Sequence, residues 1–68
     1  MNEWIDFAEE KPDKLKEYKV KIKSINTGFM NEFKALWVTK EDKFYSESFP
    51  VSENSNIIAW REINEINT

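Results

Sequence analysis

The chain has 68 residues, no cysteine, no histidine, ten Lys and Arg against 13 Asp and Glu, and a net charge of -3. That length makes one domain, residues 1–68, close to the lower limit for a fold without staples, and the missing cysteines exclude disulfides and thiolate metal sites. Without histidine the commonest metal ligand and general base are gone, and lysines mixed with acids argue against a generic nucleic-acid binder, which carries a basic stripe.

Met1 to Asp6 lacks the basic start and apolar run of a signal peptide. Trp4-Ile5-Asp6-Phe7 opens the domain as a short extended piece or the lead-in to one helical turn. Asp6 and Glu9 stand at capping-box spacing, and Pro12 limits the turn, because the residue before proline disfavours helix.

From Tyr18 to Trp37 the pattern predicts a β-hairpin. Tyr18, Val20 and Ile22 alternate with Lys19, Lys21 and Lys23, the period of a strand with one wet face. The chain's single glycine, Gly28, follows in Asn26-Thr27-Gly28, where a tight turn needs it. A turn centred on Thr27-Gly28 pairs Ile22 with Phe33, Val20 with Ala35 and Tyr18 with Trp37, and places Lys23 beside Glu32 and Lys21 beside Lys34. The two strands run from about Glu17 to Ile25 and from about Met30 to Thr39.

Lys40 to Lys43 is a polar turn before a third short strand, Phe44-Tyr45-Ser46, whose register the pattern leaves open. Glu47 to Asn56 reads as a surface loop that Phe49 and Val51 anchor. Ile57 to Ile63 is the last strand, and Asn64 to Thr68 a frayed tail. The fold class is therefore α+β and mostly β: a small antiparallel sheet of about four strands with a short N-terminal helical turn. The longest apolar runs, Ala35 to Val38 and Ile57 to Trp60, are too short to span a bilayer, so the expected place is the cytoplasm, with no membrane partner.

Strand two is apolar on both faces, with Phe33, Ala35 and Trp37 against Met30, Leu36 and Val38. The last strand repeats this with Ile57 and Ala59 against Ile58 and Trp60. A lone sheet with one wet face alternates more cleanly, so the second face calls for the long loop, another copy of the chain or a partner protein.

No catalytic constellation emerges. The neighbouring acids Glu9-Glu10 and Glu41-Asp42 fall in turns, where nothing holds two carboxylates at a working separation. No serine sits in a recognisable elbow, and one glycine is too few for a phosphate-cradling loop. The reading is a non-enzyme without cofactor or metal. The row Lys19, Lys21 and Lys23 reads either as a solvated strand face that discourages edge pairing or as a patch for an acidic partner or phosphate-bearing ligand. Trp37 is expected in the core, while Trp4 and Trp60 pack together or lie at a surface. The candidate partner contacts are Trp4, Phe49, Trp60, Lys19, Lys21 and Lys23.

Trp4-Ile5, Pro12, Glu17-Tyr18-Lys19-Val20 and Ile58-Ala59-Trp60-Arg61 resemble a family of short phage and prophage proteins that open with Trp-Ile-Ser-Val and close with His-Trp-X-Pro-Leu. The chain departs from that pattern where Lys16 replaces a glycine, Ala59 the histidine and Glu62-Ile63 the Pro-Leu. The resemblance implies a viral setting. The leading expectation is a phage-type protein that binds a host protein, such as a defence or housekeeping enzyme, and inhibits it. The alternatives are an oligomeric module that sequesters a small anionic ligand such as a signalling nucleotide, with Tyr18 and Trp37 beside the lysine row, and a minor structural protein of the virion.

Overall fold

The computed structural model describes residues 3–63, so the tail expected from Asn64 to Thr68 lies outside the described residues. Five antiparallel strands form one sheet: β1 (Ile5–Asp6), β2 (Glu17–Lys23), β3 (Met30–Val38), β4 (Lys43–Tyr45) and β5 (Ile57–Glu62). Their spatial order is β1-β5-β2-β3-β4. The fold is mostly β with little helix, as the pattern predicts. A fifth strand appears because the extended piece at Ile5 pairs with β5, Ile5 against Trp60 and Asp6 against Ala59.

Asp6 ends β1 and starts a single turn. Its carboxylate accepts the Ala8 N–H at 2.9 Å, and its carbonyl accepts those of Glu9 at 3.1 Å and Glu10 at 3.0 Å. Side-chain oxygens at such positions satisfy donors that a helix start leaves free.

The central hairpin forms with its faces as expected and its register displaced by two residues. Val20 pairs with Phe33, Tyr18 with Ala35, Lys21 with Glu32 and Lys19 with Lys34. The reason is the loop. Ser24 and Phe29 close it through the Ser24 N–H to Phe29 carbonyl bond of 2.8 Å, leaving the four residues Ile25 to Gly28 outside the ladder. The Gly28 N–H donates back to the Ser24 carbonyl at 2.9 Å, and Gly28 has φ 77°. The glycine is needed at the fourth loop position, rather than the second of a two-residue turn. Because side chains alternate with period two, a displacement of two residues changes every partner and no face.

The second hairpin repeats this geometry. Trp37 pairs with Phe44 and Val38 with Lys43, again around four residues, Thr39 to Asp42. The Asp42 N–H donates to the Val38 carbonyl at 2.9 Å, and Asp42 takes φ 61°. Aspartate tolerates this left-handed conformation better than most side chains do.

The apparent conflict in the last strand is removed by a β-bulge. Lys21 pairs with Ala59 but Ile22 with Ile57, so Ile58 is an extra residue on β5. The bulge turns both Ile57 and Trp60 inward, at 6% and 5% exposure. Ile58 uses its carbonyl to accept the Phe7 N–H at 3.0 Å, tying the N-terminal turn to the sheet.

One face of the sheet is the core. Tyr18, Val20, Trp37 and Phe44 are essentially sealed from water, with Ile22, Ala35, Ile57 and Trp60 around them. Each large ring removes about 150–250 Å² from solvent, the main source of stability available to so short a chain. Trp37 meets Phe44 at 4.9 Å between ring centroids, and Tyr18 meets Trp60 edge-on at 5.0 Å. The N-terminal turn covers one half of this face, with Phe7 against Trp37 and Phe44, Pro12 buried, and the Trp60 indole N–H donating to the Glu10 carbonyl at 2.8 Å.

The segment after β4 covers the other half. It is not simply a loop: Val51–Asn56 forms a 3-10 helix, and Phe49 packs on Phe33 at 5.4 Å. The Asn54 side-chain amide holds this helix to the sheet edge by accepting the Phe44 N–H and donating to the Phe44 carbonyl, both at 2.8 Å.

Candidate interaction face

The opposite face of the sheet has no covering segment among the described residues. The registers place Asp6, Glu17, Lys19, Lys21, Lys23, Glu32, Lys34, Lys43 and Arg61 on it. Six cations and three carboxylates make this face net positive in a chain whose net charge is -3, so the remaining surface is strongly acidic. Mixing along the sequence hides this separation, which the alternation of the strands produces.

The cations are not evenly spread. Arg61 on β5, Lys19 on β2 and Lys34 on β3 lie side by side, because Lys19 pairs with both of the others. Lys21 follows in the next row between Ala59 and Glu32. The only ion pair within 4 Å among the described residues lies elsewhere, between Lys16 and Glu62 at 2.6 Å. Hydrogen bonding to Glu62 raises the Lys16 pKa above its ordinary 10.5.

Trp4 lies over this face, half-buried, with the Lys21 ammonium 4.4 Å and the Arg61 guanidinium 5.0 Å from its ring centroid. Each such contact contributes about 0.5–1 kcal/mol at an exposed site, enough to bias where the two cations sit. At one end of the same face Leu36, Val38 and Tyr45 form an apolar strip, with Leu36 and Tyr45 each 38% exposed, while Met30, 53% exposed, stands at the other end of β3 beyond Lys34 and Glu32. The Tyr45 hydroxyl donates to the Glu41 carboxylate, which raises its pKa.

The expected contact residues therefore divide. Trp4, Lys19, Lys21 and Lys23 share the open face, and the structure adds Lys34, Arg61 and the apolar strip to them. Phe49 and Trp60 do not join them: at 8% and 5% exposure both rings belong to the core. Trp4 and Trp60 do not pack together either, because Trp60 pairs across from Ile5 on the core face while Trp4 meets cations of the open one. Tyr18 and Trp37, which the ligand-binding alternative sets beside the lysine row, are each 1% exposed and face away from it, in the core where Trp37 is expected.

Arg61 was hidden because its place in the row needs the β2–β5 pairing, for which the sequence has no local signal. Lys34 was visible as a cross-strand neighbour of the lysines, but opposite the wrong one.

At the first hairpin's tip, Ile25 and Phe29 are 82% and 71% exposed. Beside them a groove of about 300 Å³ runs between the loop and the 3-10 helix, floored by Ile22, Phe33 and Phe49. The acid pairs Glu9-Glu10 and Glu41-Asp42 lie exposed in their turns. Among the described residues no three acids gather as metal ligands would, and no helix is long and apolar enough to cross a membrane. Comparison of the chain with known protein families, characterised proteins and solved structures finds no match.

Proposed function

We propose that this protein acts by binding, not by catalysis, and that its contact surface is the open face of the sheet. The observation that carries the reading is an asymmetry of cover. Two segments, Phe7 to Pro12 and Phe49 to Asn56, seal one face, and no segment among the described residues covers the other. On that open face lie an aromatic ring, a cation cluster and an adjoining apolar strip, which together offer apolar contact and charge complementarity to another protein. The resemblance to short phage proteins supports a viral setting, in which the partner is a host protein and the outcome its inhibition.

Site-specific photocrosslinking in bacterial cells tests this. A benzophenone side chain at Leu36 on the open face is expected to capture one discrete protein species, and the same probe at Ser52 on the covering helix to capture none. Capture from Ser52 alone, or the same capture from both positions, overturns the assignment.

A further inference from the structure

The row Arg61, Lys19 and Lys34 costs the free protein stability. Cross-strand neighbours on one face have their Cβ atoms about 4.5–5.5 Å apart, and like charges directly opposite destabilise a sheet. Lys19 is caught between two of them. The flanking carboxylates Glu17 and Glu32 lie in neighbouring rows, and neither forms an ion pair within 4 Å among the described residues. Fold stability alone favours an acid or a neutral β-former at position 19, since Glu there would face a cation on each side. A lysine there adds a charge that the free sheet does not call for.

We infer that this row, with Lys21 beside it, is the docking site for an acidic segment of a partner protein whose carboxylates supply counter-charges that the described residues do not place within 4 Å of it. The inference rests on the open-face reading above and names the chemistry of its partner. Charge complementarity selects an anion, and the surroundings select a protein. Glu17 and Glu32 interrupt the patch and would repel a continuous phosphate backbone, whereas separate Asp and Glu side chains can be placed between them. The Trp4 ring, the natural platform for a stacked base, already holds Lys21 and Arg61. The adjoining strip of Leu36, Val38 and Tyr45 offers apolar contact that a protein segment can use.

The test pairs stability with binding in the variants Lys19→Glu and Lys19→Thr, the second keeping a good strand former without the charge. Both are expected to melt higher than the parent, Lys19→Glu by roughly 4 °C or more at low salt, and the gain shrinks as salt screens the row. A fluorescein-labelled hexaglutamate peptide is expected to bind the parent with salt-sensitive anisotropy, and Lys19→Glu to weaken it by about tenfold or more. Unchanged or lowered melting of both variants overturns the inference, as does absence of peptide binding at low salt. Tighter binding of a single-stranded oligothymidylate of equal charge overturns the protein assignment in favour of nucleic acid. If crosslinking from Leu36 survives Lys19→Glu undiminished, the open face stands and the acidic segment falls. If the peptide binds but Leu36 captures nothing, the row stands as an anion site and the cellular protein partner falls.

Discussion

The side chain of Asn54 is an extra rung at the edge of the sheet: it bonds both the N–H and the carbonyl of Phe44 at 2.8 Å, as a neighbouring strand would. A second donation from the same nitrogen, to the Val51 carbonyl at 3.0 Å, fixes the amide to its own helix. One residue thus blunts the exposed edge of β4 and clamps the cover over the core. Replacing it is expected to be costly. Asn54→Ala should destabilise by about 2–3 kcal/mol and lower Tm by roughly 10 °C or more. Asn54→Asp should do no better, because it keeps the acceptor and loses both donations. Thermal melts of the two variants check this.

The paired hairpin loops give a reciprocal prediction. Gly28 and Asp42 occupy equivalent left-handed positions, and a Cβ at Gly28 would meet nothing within 4 Å, so any cost there is conformational. Gly28→Ala should lose about 1–2 kcal/mol. Asp42→Gly, relieving the same backbone, should gain up to about 1 kcal/mol. Urea unfolding midpoints of the two variants should therefore move in opposite directions.

Two buried indoles differ in one bond. The Trp60 N–H donates to the Glu10 carbonyl, while the Trp37 N–H, 1% exposed as a residue, has no acceptor among the described residues. Substitution by phenylalanine removes the same volume from each. It takes a hydrogen bond from Trp60 and an unmet donor from Trp37. Trp60→Phe should therefore cost about 1–3 kcal/mol more than Trp37→Phe, measured by denaturant titration.

Stability should decline at high pH. Burial raises the Tyr18 pKa above its ordinary 10.0, and the bond to Glu62 raises that of Lys16 above 10.5. For groups raised on folding, the folded state holds protons that the unfolded chain releases first. Their contribution is complete below the unfolded values and is lost as pH climbs through the folded ones. Melts should therefore show Tm falling above about pH 10, with a shallower fall in Tyr18→Phe.

Much of the fold was legible because the informative signals are local. Alternation around Val20 and the turn residues before Phe29 locate the central strands within two residues. What was not legible depends on distant parts of the chain. The register moved by two because Gly28 serves equally as the second residue of a short turn or the fourth of a longer loop, and period-two alternation cannot distinguish them. The bulge at Ile58 showed only as a run, Ile57 to Trp60, with no polar face, which a second covering layer would explain equally well. For the candidate site, the lysines of β2 could be read directly. Arg61 reaches them only through a pairing between segments about forty residues apart, which no short-range rule describes.

The position of β5 between β1 and β2 has a consequence during synthesis. The strand that joins the two halves of the sheet is the last of the five to be made. Until it emerges, β2 presents an unfilled edge that invites wrong pairings, and the N-terminal turn lacks the Ile58 carbonyl and the Trp60 indole that hold it over the core. That exposure ends when β5 pairs with both of its neighbours and sets Trp60 against Tyr18.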